Sequence, residues 1–95
     1  MNTLALKTEL AHLTISRPSY GSSPQEVLKR LRQRIKSSAM PLGSLISIKC
    51  TSKRRISEDI QTAQFLLVYE HHALLTKLTY FAPRKKWEIS GCSFI

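Results

Sequence analysis

The chain has 95 residues, 42% of them hydrophobic, with three Gly and four Pro, and it carries fifteen Lys and Arg against six Asp and Glu for a formal net charge of +9. That length fits one domain, and the composition is too apolar and too poor in backbone breakers for a disordered tail. No stretch approaches the ~20 apolar residues of a membrane helix. Lys7, Glu9 and His12 interrupt the opening residues where a secretory leader would need an apolar run, so a cytoplasmic protein is expected.

Residues 1–8 read as a short helix or as disordered chain. Alternation of Leu10, His12 and Thr14 with Ala11, Leu13 and Ile15 predicts a strand over about residues 9–17. Arg17-Pro18-Ser19-Tyr20-Gly21 then reads as a turn. Ser23-Pro24-Gln25-Glu26 is a capping box, with Ser23 as N-cap, Pro24 in the first turn and Glu26 reaching back to the Ser23 amide. The helix it opens should run to about Ser38, where Met40-Pro41 stops it. Val27, Leu28, Leu31 and Ile35 make one apolar stripe, and Lys29, Arg30, Arg32, Arg34 and Lys36 dominate the rest of the circumference.

After Pro41-Leu42-Gly43 the period changes to two. Residues 44–51 predict a strand with Ile46, Ile48 and Cys50 on one face, and residues 52–62 a polar connection. Residues 63–72 and 73–81 read as two strands joined near His71-His72. A turn follows at Ala82-Pro83-Arg84-Lys85, and a last strand runs from Lys86 to Phe94 with Trp87, Ile89 and Gly91 sharing a face. The predicted architecture is α+β: one cationic helix on a four- to five-stranded antiparallel meander, in the order (β)-α-β-β-β-β. An inward row from Ile46, Ile48, Leu67, Leu78, Trp87 and Ile89 should meet the helix. Leu66, Val68, Leu75, Phe81 and Phe94 should stand on the open face, where they would support a homodimer through the sheet.

Pro41-Leu42-Gly43, Phe65 to Glu70, Thr76 to Phe81 and Trp87 to Ile95 together give residues about 27–95 a pattern that resembles the C-terminal half of nuclear transport factor two-like (cone-fold) domains. The two opening helices usual in that fold have no clear counterpart in the reading above. The resemblance implies a concave sheet against one helix, sheet-to-sheet pairing, and a function in ligand binding, protein interaction or occasionally catalysis, so it does not choose among them.

Charge narrows the partner. Nine cations lie between Lys29 and Arg55, and such a field attracts polyanions. Nucleic-acid backbone contacts are expected from Lys29, Arg30, Arg32, Arg34 and Lys36 on the helix and from a second patch at a Lys53-Arg54-Arg55 turn, with little base readout. Arg84-Lys85-Lys86 adds a third patch. Another acidic partner, or a cone-fold-like interaction or small-ligand module, is the alternative, and the composition also suits an accessory protein of a virus or mobile element. Tyr69, Tyr80, Phe65, Phe81 and Trp87 could floor a pocket or stack bases, although at strand spacing they fit a core. Adjacent strand residues such as His71 and His72 point to opposite faces, so no metal site is expected, and no acid, base or nucleophile carries a catalytic motif. The chain is therefore read as a non-enzyme without cofactor. Cys50 and Cys92 read as reduced thiols, with a bridge open to them only if their strands are neighbours.

Overall fold

Helix α2 (Pro24–Ser37) forms where the capping box and apolar stripe predict it. Ser23 has extended backbone and its Oγ accepts the Glu26 amide at 3.2 Å, which satisfies one of the amides a helix start leaves unpaired. The Glu26 carboxylate reaches one residue further back than the sequence implied: it accepts from the Ser22 amide and hydroxyl, both at 3.0 Å, rather than from Ser23. At the other end Ser38 closes the helix, its amide donating to the Arg34 carbonyl at 3.0 Å and its hydroxyl to the Ile35 carbonyl at 2.8 Å. All four residues of the apolar stripe, Val27, Leu28, Leu31 and Ile35, are buried.

The computed structural model describes residues 3–16, 19–38 and 40–95. Their order is α1 (Thr3–Ser16), β1 (Tyr20–Gly21), α2, β2 (Leu45–Arg55), β3 (Ile60–Tyr69), β4 (Ala73–Phe81), a single 3₁₀ turn at Ala82–Arg84, and β5 (Lys86–Phe94). The five strands form one antiparallel sheet in the order β1-β5-β4-β3-β2. It is the expected meander with a two-residue strand added at one edge. Alternate residues of β3 (Ala63, Phe65, Leu67, Tyr69) and of β4 (Leu74, Thr76, Leu78) are buried beneath the helices, while Leu66, Val68 and Leu75 are half-buried on the uncovered face.

The strand expected over residues 9–17 is a helix instead, as far as Ser16; Arg17 and Pro18 of the predicted turn lie outside the described residues, and Tyr20–Gly21 of that turn forms β1. Leu6 and Leu10, one helical turn apart, are buried in the same core as α2, and Leu13 packs against it. That spacing of four and three satisfies the core better than alternation could, because a strand would send Leu10 and Leu13 to opposite faces.

The polar connection expected at 52–62 is also corrected. β2 continues to Arg55 and β3 begins at Ile60, with Arg55 opposite Gln61 and the Ile56 amide donating to the Ile60 carbonyl at 3.0 Å. Lys53, Arg54 and Arg55 thus belong to a strand and not to a turn. In β2 the pairing slips near Ile46 and again near Thr51. Ile46 is 65% exposed and Ile48 37%, so neither supplies the inward packing expected of it. β2 lies at the edge of the sheet and is exposed along nearly all its length.

A third irregularity lies in β5. Lys77 pairs with Gly91 but Leu78 with Ile89, which leaves Ser90 as an extra residue, held by the Thr79 hydroxyl at 2.7 Å and donating to the Lys77 carbonyl at 3.3 Å. The bulge reverses the alternation beyond it. Cys92 and Phe94 therefore turn toward the core, opposite Thr76 and Leu74, and Phe94 is not on the open face.

Candidate nucleic-acid interface

At about 3.6 residues per turn, the cations of α2 divide into two sets on either flank of its buried stripe. Arg30 and Arg34 face the rest of the protein. Arg30 pairs with Glu26 at 3.0 Å and donates to the Tyr20 carbonyl, and Arg34 donates to the Leu13 carbonyl at 3.3 Å. Two of the five helix cations thereby tie α2 to β1 and to α1. Lys29, Arg32 and Lys36, spaced three and four residues apart on the other flank, are exposed.

Those three side chains form the wall of a cleft of about 550 Å³ between α2 and the start of β2. Met40, Leu42, Leu45 and Tyr69 line the apolar part of it. The cleft is held open by a strap, residues 42–44, bonded to the β3–β4 hairpin. The His71 amide donates to the Leu42 carbonyl at 3.1 Å, the Glu70 amide to the Ser44 carbonyl at 3.0 Å, and the Ser44 amide to Glu70 Oε1 at 3.1 Å. Between them Gly43 has φ +81°, and a Cβ there would stand 2.8 Å from the Glu70 Cβ, so both the conformation and the space require glycine. The hydrogen bonds from Ser44 hold the Glu70 carboxyl below its ordinary pKa.

Tyr69 sits at the back of the cleft. Burial pushes its phenol above the ordinary pKa, the nearby Arg32 charge opposing and the Cys92 thiol adding to the shift, so at neutral pH the group is a protonated donor. Tyr80 and Trp87 do not share this cleft. They pack on each other with ring centroids 5.3 Å apart, in the row of the sheet where β1 joins β5. Of the five aromatic residues considered for a pocket floor, Tyr69 alone lines this cleft.

The second cationic set is divided by strand geometry. Lys53 and Arg55 lie opposite Ala63 and Gln61, on the face that carries the helices, while Arg54 lies opposite Thr62 on the outer face. All three are exposed. Arg55 Nε donates to the Ser57 carbonyl at 3.4 Å. Leu45 lines the cleft and Arg55 ends the same strand, roughly 30 Å away at about 3.3 Å per residue. The predicted binding residues therefore form two groups joined by one exposed strand, with Lys49 between them. Arg84, of the third patch, lies over the Phe81 ring at 5.9 Å.

His71 and His72 occupy the hairpin tip, where His72 meets the Phe94 ring edge-on at 5.5 Å and His71 is exposed. Among the described residues no group of three or more His, Cys, Asp or Glu converges on one point, and no helix is long and apolar enough to cross a membrane. Cys50 and Cys92 lie in one row of the sheet, through Phe65 and Thr76, with two strands between them. At about 4.8 Å per strand their Cα atoms are separated by roughly 14 Å, twice the reach of a disulfide. Neither motif nor spacing pointed to the cleft; the legible signals for it were Pro41-Leu42-Gly43 and an acidic residue closing β3. Comparison of the chain with protein-family models, with curated proteins and with solved structures returns no match.

Proposed function

We propose that this protein binds the sugar–phosphate backbone of nucleic acid, with little sequence preference and without catalysis. The observation that carries this reading is the arrangement of Lys29, Arg32 and Lys36. Three cations project from one flank of a capped helix, exposed, and no hydrogen bond or ion pair to another described residue occupies them. Lys53 and Arg55 add positive charge along β2 on the helix-bearing face, and Lys49 and Arg54 on the outer face. The acids near it are fewer: Glu26 is paired with Arg30, Glu70 is bonded to the Ser44 amide beside the cleft, and Glu58 and Asp59 stand in the turn after Arg55. Phosphates approaching this side would displace counterions and gain affinity from their release. Arg30 and Arg34, expected among the phosphate contacts, are assigned instead to holding α2 in place.

Fluorescence anisotropy of labelled RNA and DNA across a salt series tests the proposal. Binding should weaken steeply as salt rises. Arg32→Glu or Arg54→Glu should reduce the slope of log affinity against log salt by about one each, as expected for loss of a phosphate contact. Absence of binding to either polymer at low salt would remove the reading. It would then favour a small-ligand role for the cleft.

A further inference from the structure

The cleft behind Lys29, Arg32 and Lys36 has no role in backbone binding alone, since phosphates need only the exposed cations. Its volume, about 550 Å³, falls within the range of pockets that enclose small organic groups. It combines three cations on one wall with an apolar wall from Leu42, Leu45 and Met40, and Tyr69, a protonated hydroxyl bearer, at the back. A flat heterocycle attached to a phosphate matches that division: ring against the apolar wall, polar ring edge toward the phenol, phosphate on the cations.

We infer that the cleft takes one unpaired base of a single-stranded nucleic acid, so that single strands are bound in preference to duplex. This rests on the backbone-binding reading and adds the form of nucleic acid to it. A duplex keeps its bases stacked inside and can offer only phosphates to the rim, whereas a single strand can turn one base into the cleft. A second cationic group on the same face also favours a strand over an isolated anionic metabolite. From the cleft at Leu45, β2 runs exposed to Lys53 and Arg55 on the helix-bearing face, a group that a one-headed ligand would leave empty, while Lys49 and Arg54 stand on the outer face.

The test separates base from phosphate. Three labelled probes of equal length are titrated at one low salt concentration: a thymidine 12-mer, a 12-mer of abasic deoxyribose phosphates, and a 12-base-pair duplex. The thymidine strand should bind at least about fivefold more tightly than the abasic strand, the lower end of what stacking of one base contributes. Ser44→Ile, which places a branched side chain at the cleft mouth, should abolish that difference while leaving the abasic strand's affinity unchanged. Circular dichroism checks that the variant is folded, and the wild-type comparison of the probes stands without it. Equal affinity for thymidine and abasic strands, or duplex binding as tight as the single strand, would overturn the inference and leave the backbone reading intact. Discrimination that survives in folded Ser44→Ile would place the base elsewhere and also overturn it. No binding of any probe would overturn both readings, and binding of a fluorescent fatty acid in that case would assign the cleft to amphiphilic ligands.

Discussion

The two cysteines occupy one row of the sheet and yet have opposite chemistry. Cys50 lies on the edge strand and is exposed. Cys92 is turned inward by the β5 bulge and rests 3.4 Å from the Thr76 hydroxyl. Burial raises its pKa, and the Thr76 bond only partly opposes this, so at neutral pH it is held as the less reactive thiol. A disulfide reagent at neutral pH should therefore label one thiol per chain rapidly, and the second roughly tenfold or more slowly until the protein is unfolded. Cys50→Ser should remove the fast phase alone. A fast phase that survives in this variant would place Cys92 at the surface. Periodicity could not separate the two residues, because reading both on a single face pattern requires knowing where the ladder slips.

Among the elements, α2 was the most legible because local chemistry determines it. Cap, proline, amphipathic period and stop all agree, and its buried stripe is the one the sequence predicts. Ser23→Ala should cost about 1 kcal/mol in chemical denaturation, through loss of the Glu26 amide's partner. An unchanged midpoint would mean that Glu26 and its bonds to Ser22 suffice to start the helix. By contrast, the sequence predicts a strand for the second half of α1, from about residue 9, and leaves its first half as a short helix or disordered chain. Its exposed Leu4, Ala5 and Ala11 surround Leu6 and Leu10 and blur the helical period, so only the tertiary core distinguishes the buried leucines from the others. The meander followed from alternation, whereas the extension of β2 into the basic run did not. Lys-Arg-Arg has no strand signature of its own and is held there by pairing with residues 61–63. The candidate site divides in the same way. The cations were visible as letters, but the separation of Arg30 and Arg34 from Lys29, Arg32 and Lys36 depends on what α1 and β1 place beside them.

For the whole molecule, a net charge of +9 means that folding concentrates like charges, and acid makes this worse. Glu26 and Glu70 both have lowered pKa values, the first through its bonds to the Ser22 amide and hydroxyl and then Arg30, the second through Ser44. A lowered carboxyl favours the fold above its unfolded pKa, about 4.3 for glutamate, and that contribution is lost as pH falls through the folded value. Both effects have the same sign. The thermal midpoint should be level near neutrality and fall as pH drops below about 5. At low ionic strength, added salt should raise it by screening the repulsion among the cations. A midpoint that falls with salt at neutral pH would mean that attractive pairs outweigh repulsion, against the picture of unoccupied cations.

The edge position of β2 has a further consequence. An eleven-residue strand with an open row of backbone donors and acceptors invites another strand to pair with it, and the exposed Ile46, Ile48 and Ile56 add apolar surface to that invitation. Lys49, Lys53, Arg54 and Arg55 oppose it, since two copies brought edge to edge would set these charges against each other. The cations proposed to meet a polyanion would thus also guard against aggregation. A bound nucleic acid that neutralises them would lower that guard and draw neighbouring copies together along its length, which couples occupancy to self-assembly through the same four side chains.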